Sequence, residues 1–97
     1  LTGRILAAAI GIASIAAAAV ASAEPPAGAL SCTGCHPASA RVASPVRRLA
    51  GLDREAIVRA MQEFRSGQRP GTVMDRIARG FTEDEIRAIA AWYAAQP

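Results

Sequence analysis

Lysine is absent from this chain, histidine occurs once, and cysteine only twice. Aromatic residues are nearly as scarce, at one Trp, one Tyr and two Phe. Without lysine, and with no basic run interleaved with aromatics, the chain lacks the electrostatic footprint of a nucleic-acid binder. One histidine and one cysteine pair leave no second pair to complete a tetrahedral zinc site. Four aromatics supply little volume for a core, and a domain this small usually needs a disulfide, a metal or a cofactor as a staple. No alternating apolar run of a β-strand occurs, and there is no internal repeat.

Charge is also missing from the start of the chain. Arg4 is the only charged residue before Glu24, and Ile5 to Val20 is an apolar run rich in Ala and Ile. Ala21-Ser22-Ala23 closes it with the small-x-small pattern of a processing site. The run is about 16 residues, short of the ~20 that a spanning helix needs. Residues 1–23 therefore read as a secretory signal peptide cleaved after Ala23, with export to the periplasm, and 24–97 as one small domain. Removing Arg4 leaves ten arginines against eight acidic residues, a balance of about +2.

The remaining pattern predicts helices only. Pro25-Pro26 suits a helix start, and Ala27 to Cys35 reads as a short first helix ended by Pro37. Ala38 to Leu52 shows no sustained period and reads as a loop. Asp53 is a good N-cap, followed by a stripe of Ala56, Ile57, Ala60, Met61 and Phe64 up to Gly67. Val73 to Arg79 reads as a short helix closed by Gly80. Thr82-x-x-Glu85 is a capping box before a last helix whose inner face is Ile86, Ile89, Ala90 and Tyr93, running to about Gln96.

The chemistry sits in Cys32-Thr33-Gly34-Cys35-His36, a C-x-x-C-H haem-attachment sequence. The spacing puts two thiols one helical turn apart, where they can add to the two vinyl groups of one haem and hold it covalently. The adjacent His36 is then carried to the iron. Three other readings compete. A thioredoxin-like redox pair prefers a βαβ setting. A disulfide closing so short a loop stabilises little. Half a zinc site lacks its other half.

A second axial ligand has few candidates, because Met61 and Met74 are the only methionines. A thioether is a soft ligand that raises the reduction potential relative to a second imidazole. Met61 lies on an apolar helical stripe, where Met more often fills gaps in a core. Met74 follows the Pro70-Gly71 turn, and residues 37–73 give enough chain to wrap over a haem edge and reach its opposite face. An open or water-ligated iron is the third option. The second ring nitrogen of His36 needs an acceptor, and the Pro45 carbonyl in the following loop is a candidate. Arg47, Arg48, Arg69 and Arg76 are candidate partners for haem propionates.

The attachment motif, a downstream Met and an amphipathic last helix with Trp92 and Tyr93 resemble class I cytochromes c. The resemblance implies an all-α fold with first and last helices packed around one covalently bound haem c (heme c). A closer resemblance is to the haem subunit of flavocytochrome c sulfide dehydrogenase. It is carried by Ala43-Ser44-Pro45, Met61 to Gly67, Thr72 to Phe81, and Ile86-x-x-Ile89-Ala90-Ala91-Trp92-Tyr93. In that family the Met of the Met-x-Arg-Ile-Ala-x-Gly stretch is the axial ligand, which implies Met74 here.

The same resemblance implies an FAD-bearing partner subunit, in a heterodimer, that oxidises sulfide and passes electrons to the haem and on to a soluble acceptor. The chain itself would then be an electron-transfer subunit and not an enzyme, with no catalytic residues of its own. Some relatives carry two haem domains; one C-x-x-C-H here implies the single-haem form. The alternatives are a free-standing electron shuttle and a haem ligand-binding sensor domain.

Overall fold

The computed structural model describes residues 23–97, so the expected signal peptide lies outside the described residues except for Ala23. Within them the order is a 3-10 turn η1 (Ala29–Gly34), then helices α1 (Arg54–Ser66), α2 (Met74–Arg79) and α3 (Glu83–Ala94). No strand occurs among the described residues, so the all-α expectation holds.

Each helix starts and stops for a local reason. Asp53 caps α1 by accepting from Ala56 N at 2.9 Å. Gly67 ends it with φ 81°, a left-handed conformation that glycine adopts without a Cβ penalty. At α3 the capping box is closed both ways: Glu85 N donates to Thr82 Oγ1 at 3.2 Å and Thr82 N donates to the Glu85 carboxylate at 3.0 Å. That bond holds the Glu85 carboxyl below its ordinary value.

The core is small. Ala29, Ile57, Val58, Ile86, Ile89, Ala90 and Tyr93 form one buried cluster, and Ile86 is its only large side chain that is fully buried. The face expected for α3 is the buried one. On α1, Ile57 is buried as expected, but Ala56 is exposed and Val58 takes its place. α1 packs against both α2 and α3, so its buried arc is turned from the single stripe read in the sequence. A polar clamp fastens α1 to the start of α3, with Gln62, Arg65 and Arg87 all donating to the Glu83 carboxylate.

The first element is a tighter helix than expected, and it is held by its neighbours. Gly28 has φ 84°, and a Cβ placed there would lie 2.6 Å from the Phe81 ring, so two constraints demand glycine. Tyr93 O–H donates to the Ala29 carbonyl at 2.6 Å and fastens η1 to α3. Trp92 packs edge-on to Tyr93, ring centroids 4.9 Å apart. Trp92 Nε1 donates to the Ala23 carbonyl at 2.9 Å; cleavage after Ala23 would remove that acceptor.

Candidate redox-cofactor site

Cys32 and Cys35 project from η1 and its C-terminal end. Cys32 lies within η1 and Cys35 caps it three residues on, its N–H donating to the Cys32 carbonyl at 3.3 Å. The turn then relaxes, and His36 N donates to the Cys32 carbonyl at 2.9 Å. Both thiols are free. Cys35 is exposed, whereas Cys32 is half-buried against the core. Burial pushes the Cys32 thiol above its ordinary value, against the smaller opposite pull of the nearby Tyr93 and Ser31 hydroxyls. Burial, joined by the neighbouring Cys32, pushes the Tyr93 hydroxyl up to about 12.

His36 is held through one ring nitrogen. Nδ1 lies 2.5 Å from the Arg47 carbonyl oxygen. A carbonyl can only accept, so Nδ1 carries a proton, and in the neutral ring Nε2 is then the nitrogen with a lone pair for a metal. The acceptor differs from the expected Pro45. The chain bends at Ser44-Pro45-Val46, where Val46 N donates to Ser44 Oγ at 3.1 Å. It is the peptide beyond that bend, 47–48, that returns to the imidazole. Pro45 itself is exposed and accepts nothing from His36.

The two methionines have different settings. Met61 packs against the core cluster, while Met74, partly buried at the first position of α2, is not among the side chains packed on it. Gly71 sits beneath this corner, its Cβ position 3.5 Å from Met74 Cβ and 3.0 Å from the Phe64 ring. Val73 and Ile77 flank Met74 and are 54% and 38% exposed; Leu30, just before Cys32, is 59% exposed. Apolar side chains thus stand open beside the thiols and beside the thioether.

Among the four arginines considered for propionates, two are engaged elsewhere. Arg69 pairs with Glu63 at 2.8 Å and lies 5.5 Å over the Phe64 ring. Arg48 donates from Nε to the Ala38 carbonyl at 3.0 Å and from Nη2 to the Pro97 carbonyl oxygen at 2.5 Å. Arg47 and Arg76 have no ion-pair partner among the described residues.

This donor set suits a c-type haem. Two free thiols stand three residues apart on one turn, the adjacent imidazole has one ring nitrogen tied to a carbonyl, and a thioether elsewhere is not committed to the core. No three His, Cys, Asp or Glu side chains gather as for a metal ion among the described residues. Sequence reasoning missed the Arg47 carbonyl, the two hydrogen bonds of Arg48 and the Tyr93–Ala29 hydrogen bond. No motif signals a backbone acceptor, because any residue type supplies one.

No protein-family model matches the chain. Comparison with characterised proteins finds a cytochrome subunit of sulfide dehydrogenase from Chlorobaculum tepidum, 39% identical over 64 residues, covering 66% of this chain and 58% of that protein. A thiosulfate dehydrogenase electron acceptor from Stutzerimonas stutzeri is 37% identical over 71 residues, covering 71% of this chain and 33% of its own length. A cytochrome c-552 from Acidithiobacillus ferridurans is 31% identical over 64 residues, covering 66% and 28%. The chain thus spans less than two thirds of the length of each of these relatives.

Proposed function

We propose that this chain is a class I c-type cytochrome and the electron-transfer haem subunit of a periplasmic sulfide dehydrogenase of the flavocytochrome c type, a reading its relatives support. It would accept electrons from an FAD-bearing partner that oxidises sulfide. The observation that carries the redox role is the tethered imidazole: His36 Nδ1 bound to the Arg47 carbonyl, beside two free thiols. The relative that is a cytochrome subunit of sulfide dehydrogenase supports the choice of partner, as does the Met74-Asp75-Arg76-Ile77-Ala78-Arg79-Gly80 stretch.

When bound, the haem supplies one-electron exchange between ferric and ferrous iron. Cys32 and Cys35 would hold it by two thioethers, so that a small domain keeps its cofactor without a large enclosing core. His36 Nε2 would ligate the iron, with the ring direction set by the Arg47 carbonyl. Met74 would supply a second ligand, a soft sulfur that favours the ferrous state. Leu30, Val73 and Ile77 would gain apolar cover from the macrocycle. The sulfur chemistry belongs to the partner.

Among the described residues no helix is long and apolar enough to cross a membrane. Expression with its natural leader in a host that matures c-type cytochromes tests the reading. The expected product is exported, coloured, and heavier by one haem that survives denaturation. A colourless product with free or mutually bonded thiols would refute it. Stable co-purification with a flavoprotein from the native source is expected, and a protein found only free there would defeat the subunit assignment.

A free-standing shuttle is the second reading. It is favoured by the relative that is an electron acceptor and by arginines 41, 47, 76 and 79, which are exposed and form no ion pair among the described residues. A steep fall of electron-transfer rate with salt would support the shuttle, and a shallow dependence the stable subunit.

A further inference from the structure

We propose that Arg48 is a positioning residue for the axial histidine, acting through the peptide it shares with Arg47. This rests on the reading of His36 as an iron ligand. The geometry is a closed ring. His36 Nδ1 reaches the Arg47 carbonyl. The next side chain, Arg48, returns through Nε to the carbonyl of Ala38, two residues beyond His36, and through Nη2 to Pro97. The Arg47 carbonyl and the Arg48 N–H belong to one planar unit. Holding Arg48 at two points therefore fixes the direction in which that carbonyl aims.

The loop has little else to hold it. Every residue from 38 to 47 is exposed. Its other hydrogen bonds are local turns, from Arg41 N and Val42 N to Ser39 and from Val46 N to Ser44. Such a segment, without buried side chains, opens at low cost. Arg48 is half-buried where residues 38–47 are all exposed, and it ties the segment to Pro97, just beyond α3. Gly51 N makes the neighbouring tie, to the Tyr93 carbonyl at 3.0 Å. A forked guanidinium can serve two carbonyls at once, which the single ammonium of lysine on its flexible stem does poorly.

The consequence for the metal has a definite sign. A firm Nδ1–H to carbonyl bond makes the imidazole a more basic ligand, and a more basic ligand favours the ferric state. Loosening the carbonyl should therefore raise the reduction potential. Losing the positive charge of an arginine near the iron does the opposite, because it eases the ferric charge.

The test compares haem-loaded wild type with Arg48→Met, Arg48→Lys and Arg41→Met. Two quantities are measured: reduction potential, and solvent exchange of the His36 ring N–H proton by NMR. Arg48→Met is expected to speed exchange by about tenfold or more, since two charge-assisted hydrogen bonds are lost; bond loss and charge loss move its potential in opposite directions. Arg48→Lys, which keeps the charge, should speed exchange too and raise the potential. Arg41→Met, which removes an exposed charge of the same loop that forms no ion pair among the described residues, should leave exchange unchanged and should not raise the potential. If Arg48→Met fails to mature, Arg48→Lys alone decides. Coloured Arg48 variants with wild-type exchange, or an Arg48→Lys potential at or below that of wild type, would overturn the role of Arg48 while leaving the haem reading intact. A colourless wild type overturns both.

Discussion

Replacing Tyr93 with Phe isolates one hydroxyl and should show its effect in two ways. The hydroxyl donates at 2.6 Å to the carbonyl of Ala29, a residue with no exposed surface. Phenylalanine keeps the ring and leaves that carbonyl buried without its partner. The expected loss at neutral pH is about 1–3 kcal/mol, above the ~1 kcal/mol of an average hydrogen bond, because a desolvated acceptor is left behind. The second effect is alkaline. The native hydroxyl is raised from 10.0 to about 12, chiefly by burial. A raised pKa means that the folded state holds the proton more tightly. That stability is complete below pH 10 and is lost as pH climbs toward 12; at ~1.36 kcal/mol for each pH unit the whole shift sets an upper bound of about 3 kcal/mol, which solvent screening reduces. Thioether formation at Cys32 would remove that neighbour's share of the shift and leave the larger share, burial.

The composition makes the experiment clean. The chain has no lysine and a single tyrosine, so Tyr93 is the one side chain expected to titrate in this window once the thiols are consumed. Urea unfolding of the haem-loaded protein at pH 7, 9, 10.5 and 11.5 would show wild type weakening above pH 10 and Tyr93→Phe nearly level. A variant as stable as wild type at pH 7, with the same alkaline decline, would refute the account of the η1–α3 junction.

Three other outcomes are expected. Met74→Ala should lower the potential and let the reduced protein bind carbon monoxide, whereas Met61→Leu should leave the spectrum and potential near wild type; optical titration checks both, and the reverse pattern would make Met61 the ligand. Ile86→Ala removes the one large fully buried side chain and should cost about 2–5 kcal/mol in urea unfolding. The Glu85 carboxylate has a lowered pKa, so its cap contribution is present above the ordinary carboxyl value of 4.5 and lost as pH falls through the lowered one. Glu85→Gln should flatten the acid limb of the α3 helicity curve.

Much of this protein was legible because local chemistry decides it. Asp53, Thr82 and Glu85 announce helix starts by side chains that bond their own backbone, and Gly67 announces an end by a conformation other residues avoid. The thiols and His36 are legible for the same reason, since their spacing along five consecutive residues is already the spacing in space. Which face of α1 is buried was not so decided: Val58 rather than Ala56 turns inward because two helices press on α1 from different sides, and a single periodic stripe records only one. The acceptor for His36 was less legible still. A carbonyl exists at every residue, so selecting Arg47 over Pro45 depends on where the loop returns after its bend, and on Arg48 being held by Ala38 and Pro97 at once. Residue types fixed along the chain thus determined the reactive groups and the helices, and only the meeting of distant segments determined how the imidazole is aimed.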